Sequence, residues 1–129
     1  MHKSYETHME KYAFQNALAE IFKVTSRANK YIDETTPWIL AKDETKKARL
    51  AAVLYNLLET IRICTVLLIP VMPESCTAIL KQIGATDDVM SFEAATSFGM
   101  LPKTVTVNKG DIIFPRLDIA KELAELAEA

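Results

Sequence analysis

Apolar positions at spacings of three and four run through the first two thirds of this chain, and they predict helices. From about His8 to Glu34, the residues Phe14, Ala17, Leu18, Ile21, Phe22, Thr25, Ala28, Tyr31 and Ile32 fall on one face of a long amphipathic helix. Thr36 then stands where it can cap a short helix whose first turn holds Pro37 and which runs through Trp38, Ile39, Leu40 and Ala41. Asp43-Glu44-Thr45-Lys46 reads as a polar turn or the entry to the next helix, with carboxylates favouring its amino end. From about Thr45 to Ile69, the positions Ala48, Ala52, Tyr55, Leu57 or Leu58, Ile61, Cys64, Leu67 and Leu68 predict a second long helix. It becomes apolar on nearly all sides toward its end, which places that end centrally in a bundle. Glu59 and Arg62 interrupt the run and are expected to mark its wetter face. Pro70 and Pro73 break the pattern, Glu74 to Ile83 resumes it as a further helix, and Gly84 occupies the usual C-terminal stop.

Beyond Gly84 the periodicity weakens. Ser91 to Ala95 predicts a short helical turn ended by Gly99, and Lys103 to Phe114 alternates like a strand around Asn108-Lys109-Gly110. An isolated hairpin is marginal in water, so this stretch is expected as extended chain laid on the bundle rather than as a sheet. Ala120 to Ala129 predicts a terminal helix. The fold class is therefore all-α. One domain is expected over 1–129: a helix bundle over 1–84, an extended segment over 85–118 and a terminal helix over 119–129.

Composition supports that reading and narrows the function. A chain of 129 residues that is half apolar can build one core, and its three glycines and five prolines leave few tight turns. Cys64 and Cys76 fit no metal-ligand spacing and lie in apolar stretches, so they read as buried thiols of a reducing compartment, and no disulfide is expected. His2 and His8 have no partner ligands at metal spacing and read as solvated, so no metal is predicted. Met1 is followed by polar residues rather than by the apolar core of a signal peptide, which points to the cytoplasm. The longest apolar run, Ile63 to Met72, is interrupted by Thr65 and Pro70 and is about half of the ~20 residues a membrane span needs, so no membrane association is expected.

A net charge of −2 argues against an indiscriminate nucleic-acid binder, but the charge is unevenly spread. Between Lys23 and Arg62 eight bases face five acids, while much of the excess acid follows Asp118. A catalytic constellation is missing: there is no glycine-rich phosphate loop, no nucleophile beside a base, and no His–carboxylate pair on a helix face. Recognition chemistry is present. Trp38, the only tryptophan, follows a rigid proline at a helix junction, where an indole face can stack on an unpaired base. Single-stranded RNA loops are read by such stacking together with polar side chains on base edges, and Asn29, Lys30, Arg27 and Lys42 lie close by in sequence. The packing alternative is that Trp38 fills the gap between the two long helices.

The order of these residues carries a resemblance. Phe14-Gln-Asn16-Ala17-Leu18, Asn29-Lys30-Tyr31-Ile32-Asp33, Thr36-Pro37-Trp38-Ile39-Leu40-Ala41-Lys42, the long helix from Leu57 to Pro73, and Phe114-Pro115-Arg116-Leu117-Asp118 together resemble the helical anticodon-binding domain of methionyl-tRNA synthetases. The resemblance covers nearly the whole chain. It implies a helix bundle of the class I aminoacyl-tRNA synthetase anticodon-binding type, whose partner is the CAU anticodon loop of methionine tRNA. It further implies that Trp38 stacks on the first anticodon base, that Pro37 positions it, and that Asn29 and Lys30 are secondary contacts. A catalytic domain of the same polypeptide, using ATP with magnesium, would attach methionine to the tRNA, and this segment alone would be noncatalytic and hold no cofactor. The family also reads the anticodon with an Asn and an Arg of an Asn-Leu-x-x-Arg type motif on a preceding helix, which this chain does not include.

Two rival functions remain open from sequence. One is a helical interaction or dimerisation module docking through the apolar stretch from Ile61 to Met72. The other is the corresponding domain of another class I synthetase for an aliphatic or sulfur-containing amino acid.

Overall fold

The computed structural model describes residues 1–129 and contains helices and irregular chain but no strand. Six α-helices follow in order: α1 (His2–Glu10), α2 (Phe14–Thr35), α3 (Pro37–Leu40), α4 (Lys47–Leu68), α5 (Pro73–Gln82) and α6 (Ile119–Glu128). Single 3-10 turns lie at Glu44–Lys46, Asp87–Val89 and Ala94–Thr96.

The amino-terminal half corrects one boundary. The periodicity that begins near His8 is divided between two helices, because Tyr12 adopts a left-handed backbone, φ 57°, and turns the chain between α1 and α2. The two helices then pack on each other. Tyr5, buried in α1, donates its hydroxyl hydrogen bond to the Leu67 carbonyl at 2.9 Å and ties the hairpin to α4. His2 is not solvated as expected. It packs on Phe92 with ring centroids 4.5 Å apart, and its Nε2 is buried without a hydrogen-bond partner.

The core forms where α1, α2, α4 and α5 meet, around Tyr5, Ala17, Ile21, Cys64, Val66, Leu67, Leu68, Cys76, Leu80 and Ile83, with Ala95 from the irregular segment. Helix α4 is central: the stretch Cys64–Leu68 is buried on every side, as its all-round apolar pattern predicts. Both cysteines are free and buried, and burial pushes the Cys64 thiol up to about 11. By length and composition α4 is apolar enough to cross a bilayer, but its surroundings are those of a bundle core.

The expectation for Glu59 and Arg62 is overturned, since both side chains are completely buried. Arg62 Nε and Nη2 donate to the two carboxylate oxygens of Glu59 at 2.8 and 2.9 Å. The rest of the guanidinium donates to the carbonyls of Val89, Ala94 and Ser97, and the carboxylate accepts from the N–H groups of Gly99, Met100 and Leu101. Burial raises the Glu59 pKa, but the Arg62 hydrogen bonds, the Leu101 and Gly99 N–H donors and the Arg62 charge outweigh it and hold the carboxyl below its usual range. An ion pair at i and i+3 thus supplies polar partners to a segment whose only regular structure is two single 3-10 turns. Tyr55 adds a hydrogen bond to the Leu101 carbonyl at 2.6 Å.

Helix α5 ends with Gly84 left-handed at φ 73°, closed by bonds from Gly84 N–H to Lys81 and from Ala85 N–H to Leu80. The alternating stretch after Lys103 runs as extended chain. Gln82 holds it twice, accepting from Asn108 N–H at 2.7 Å and donating to the Asp111 carbonyl at 3.3 Å.

Candidate nucleic-acid interface

The interface begins at the end of α2. Thr36, a β-branched residue immediately before proline, has φ 44° and ψ 63°. Proline disfavours the right-handed helical region for the residue ahead of it, so α2 cannot simply continue. The left-handed turn bends the chain at a cost of about 1–2 kcal/mol. Thr36 does not cap α3 through its side chain as expected. Its backbone does so, the carbonyl accepting from the N–H groups of Ile39 at 2.9 Å and Leu40 at 3.2 Å. The hydroxyl that anchors this corner belongs to Thr35, which donates to the Tyr31 carbonyl at 2.7 Å.

Pro37 opens α3, and α3 packs on α4. Trp38 is the second residue of α3 and is 52 % exposed. Its ring pairs with no other aromatic side chain. About half of the indole is left uncovered, so it is not a fully buried plug between the long helices. Filling between α2 and α4 comes instead from Ala28, Leu57 and Thr60, which line clefts on both sides of the seam.

Asn29 and Lys30 are exposed on the last turns of α2. Asn29 lines a shallow cleft of about 200 Å³ with Ile32, Leu57 and Ile61. Lys30 is one residue further round the helix, about 200° from the seam-facing Ala28 by helical periodicity. Arg27 is drawn to Glu34, with Nη1 donating at 3.2 Å. After α3, Asp43 accepts from both the hydroxyl and the N–H of Thr45, and these bonds hold its carboxyl below the usual range.

This arrangement offers a half-exposed indole on a proline-opened helix that follows directly on α2, whose last turns carry the exposed Asn29 and Lys30, and the chain holds no metal-ligand cluster. It suits recognition of a flat, polar, negatively charged ligand. A family model described as the anticodon binding domain of methionyl tRNA ligase matches residues 1–127. The chain belongs to this family. A methionine–tRNA ligase from Caldanaerobacter subterraneus subsp. tengcongensis is 50 % identical over 121 residues, covering 94 % of this chain and 19 % of the relative. The Bacillus subtilis methionine–tRNA ligase is 43 % identical over 123 residues, 95 % of this chain and 18 % of the relative. The crystal structure of apo Mycobacterium tuberculosis methionyl-tRNA synthetase superimposes with a TM-score of 0.79 at 32 % identity, covering 90 % of this chain and 23 % of that one. The chain thus spans about a fifth of the length of the methionine–tRNA ligases it matches.

Trp38 and Pro37 stand out in the sequence as candidates, whereas the left-handed backbone of Thr36 ahead of them does not. The Thr-Pro pair was its available signal, because proline restricts the residue before it.

Proposed function

We propose that this anticodon-binding domain holds the CAU anticodon loop of methionine tRNA, with the first anticodon base stacked on Trp38 and Pro37 fixing the approach of the ring. The observation that carries the reading is the half-exposed indole on a proline-started helix that follows a left-handed Thr36. Asn29 and Lys30 are secondary contacts on α2. The chemistry of methionine attachment belongs to a catalytic domain of the same polypeptide, where ATP with magnesium activates the amino acid. The full enzyme works in the cytoplasm.

Base–aromatic stacking contributes about 1–3 kcal/mol, which is roughly 5- to 150-fold in binding. In the full synthetase, Trp38→Ala should lower kcat/KM for tRNA aminoacylation by a factor in that range. Methionine-dependent pyrophosphate exchange without tRNA should stay near the parent value. Equal loss of both activities would refute the assignment. The rival docking reading loses the middle of its surface, because Cys64–Leu68 is consumed by the core, while Ile61 and Val71 at its ends stay exposed.

A further inference from the structure

One polar tie crosses the seam between α2 and α4. No ion pair joins the two helices, and a single side-chain hydrogen bond does: Asn56 Nδ2 donates to the Tyr31 hydroxyl oxygen at 3.3 Å. Apolar packing there is sparse. Ala28, Leu57 and Thr60 are flanked by one cleft of about 280 Å³ and another of about 200 Å³. A side chain that faces a void lacks the dispersion contacts that would resist a small roll of one helix on the other. A hydrogen bond resists that roll, because it weakens steeply off its axis. Tyr31 and Asn56 are both partly buried, which shields their bond from competing water.

The tie lies just ahead of the corner that carries Trp38, and a short series of bonds extends it there. The Tyr31 carbonyl accepts from the Thr35 hydroxyl at 2.7 Å, and the Ile32 carbonyl accepts from Thr36 N–H at 3.0 Å, the last bond before the left-handed turn. Pro37 then opens α3, which packs on α4. Helix α4 therefore holds both the end of α2 and the helix that bears the indole. Neither the Tyr31 nor the Asn56 side chain makes any other hydrogen bond.

We infer that Tyr31 and Asn56 are positioning residues for anticodon binding: their bond sets the angle at which α2 delivers α3, and so holds the Trp38 ring in one orientation before RNA arrives. The inference rests on the anticodon reading above. In this role neither residue touches the base. Without the bond the ring samples several orientations, and apparent affinity falls with the fraction that stays competent. A neutral hydrogen bond biases such an equilibrium by about 2- to 10-fold. The loss falls on KM for tRNA rather than on kcat, because the bound strand orders the ring again.

The test uses the full synthetase labelled with 5-fluorotryptophan, in which Trp38→Phe identifies the Trp38 fluorine resonance. Tyr31→Phe and Asn56→Ala should each shift or broaden that resonance and raise KM for methionine tRNA about 2- to 10-fold, with kcat near the parent value. Combining them should add little to the larger single effect, because the same bond is lost in all three proteins. Tyr55→Phe is the structural control. It removes a hydroxyl bonded at 2.6 Å to the Leu101 carbonyl, on the same helix but directed at the irregular segment. It should lower the midpoint of thermal unfolding and leave the Trp38 resonance and KM unchanged. A parent resonance and KM in Tyr31→Phe and Asn56→Ala, whatever their thermal midpoint, overturns the proposal and leaves the anticodon reading standing. Raised KM with an unmoved resonance, or effects that multiply in the double variant, overturns it too, since the residues then act other than through the ring. A Trp38→Ala enzyme that keeps the parent KM overturns the anticodon reading, and this role with it.

Discussion

Replacing Glu59 with Gln tests the account of how the domain is held together. The substitution keeps the shape, removes one charge and converts one oxygen into a donor. Glu59 Oε1 accepts from Arg62 Nε and Leu101 N–H, both at 2.8 Å. Oε2 accepts from Arg62 Nη2 at 2.9 Å, Gly99 N–H at 2.8 Å and Met100 N–H at 3.3 Å. Whichever way the amide turns, its NH₂ confronts at least two donors, and the Arg62 charge stays buried without a counter-charge. Breaking a buried pair of this kind costs about 3–5 kcal/mol. With an unfolding entropy of roughly 2.1 cal/mol/K per residue, 129 residues give about 0.27 kcal/mol/K, so the midpoint of thermal unfolding should fall by about 11–18 °C. Circular dichroism reads that shift. Chymotrypsin provides a local readout, since Phe92 and Phe98 are exposed on the segment the pair restrains. The double variant Glu59→Leu, Arg62→Met sharpens the test. A buried pair can often be exchanged for apolar residues without loss, but here three carbonyls and three N–H groups would be orphaned as well. The double variant should therefore remain at least as unstable as Glu59→Gln. A single variant within about 4 °C of the parent, or a double variant that recovers the parent midpoint, would refute the reasoning.

Three other outcomes follow from the same structure. The Glu59 carboxyl is depressed below its unfolded value of about 4.3, so its contribution is present above that pH and is lost as pH falls through the folded value; acid titration of unfolding should show this loss in the parent and not in Glu59→Gln. Cys64 is raised from 9.0 to about 11, so between those values the unfolded chain loses a proton that the folded chain keeps. Stability should then decline by up to about 3 kcal/mol as pH rises through the window, and a thiol reagent at pH 8 should label Cys64 only as fast as the domain opens. Thr36→Gly removes the strain of a β-branched residue in the left-handed region, so thermal stability should hold or rise while anticodon-loop affinity falls as α3 loses its fixed angle; a parallel fall in both would show that Thr36 acts through stability alone.

The sequence pattern located the long helices because each buries one stripe, and a stripe is visible as a period of three and four. It missed the break before α2 because Tyr12 and Phe14 are as apolar as the core, although Tyr12 is 81 % exposed and serves the turn. The misreading of Glu59 and Arg62 has a deeper cause. Two charges three residues apart in an apolar run are compatible with a wet face or with an inward pair. What decides between them is the set of backbone groups at 89, 94, 97 and 99–101, which lie 27 to 42 residues away and have no periodic signature. The same limit explains why the alternating stretch after Lys103 resembled a strand: alternation reports a possible face, and only a partner makes a sheet.

Exposure by itself does not single out Trp38, because Tyr12, Phe14 and Phe22 are also more than half exposed. Only 18 of 129 residues are buried, so this is a thin bundle with much apolar surface left over. The two left-handed residues separate the cases. Tyr12 turns the chain so that α1 and α2 can pack, and its ring meets Phe14 edge-on at 6.2 Å. That turn is repaid by contact between the helices it joins. Thr36 turns the chain into a four-residue helix that lies on α4 and leaves the Trp38 indole half exposed and stacked on no other ring. Packing of α3 on α4 repays part of that second distortion. What sets this corner apart is that a left-handed β-branched residue, a proline-opened helix and a half-exposed ring stacked on no other aromatic coincide there, which is the geometry that the proposed stacking of a base requires.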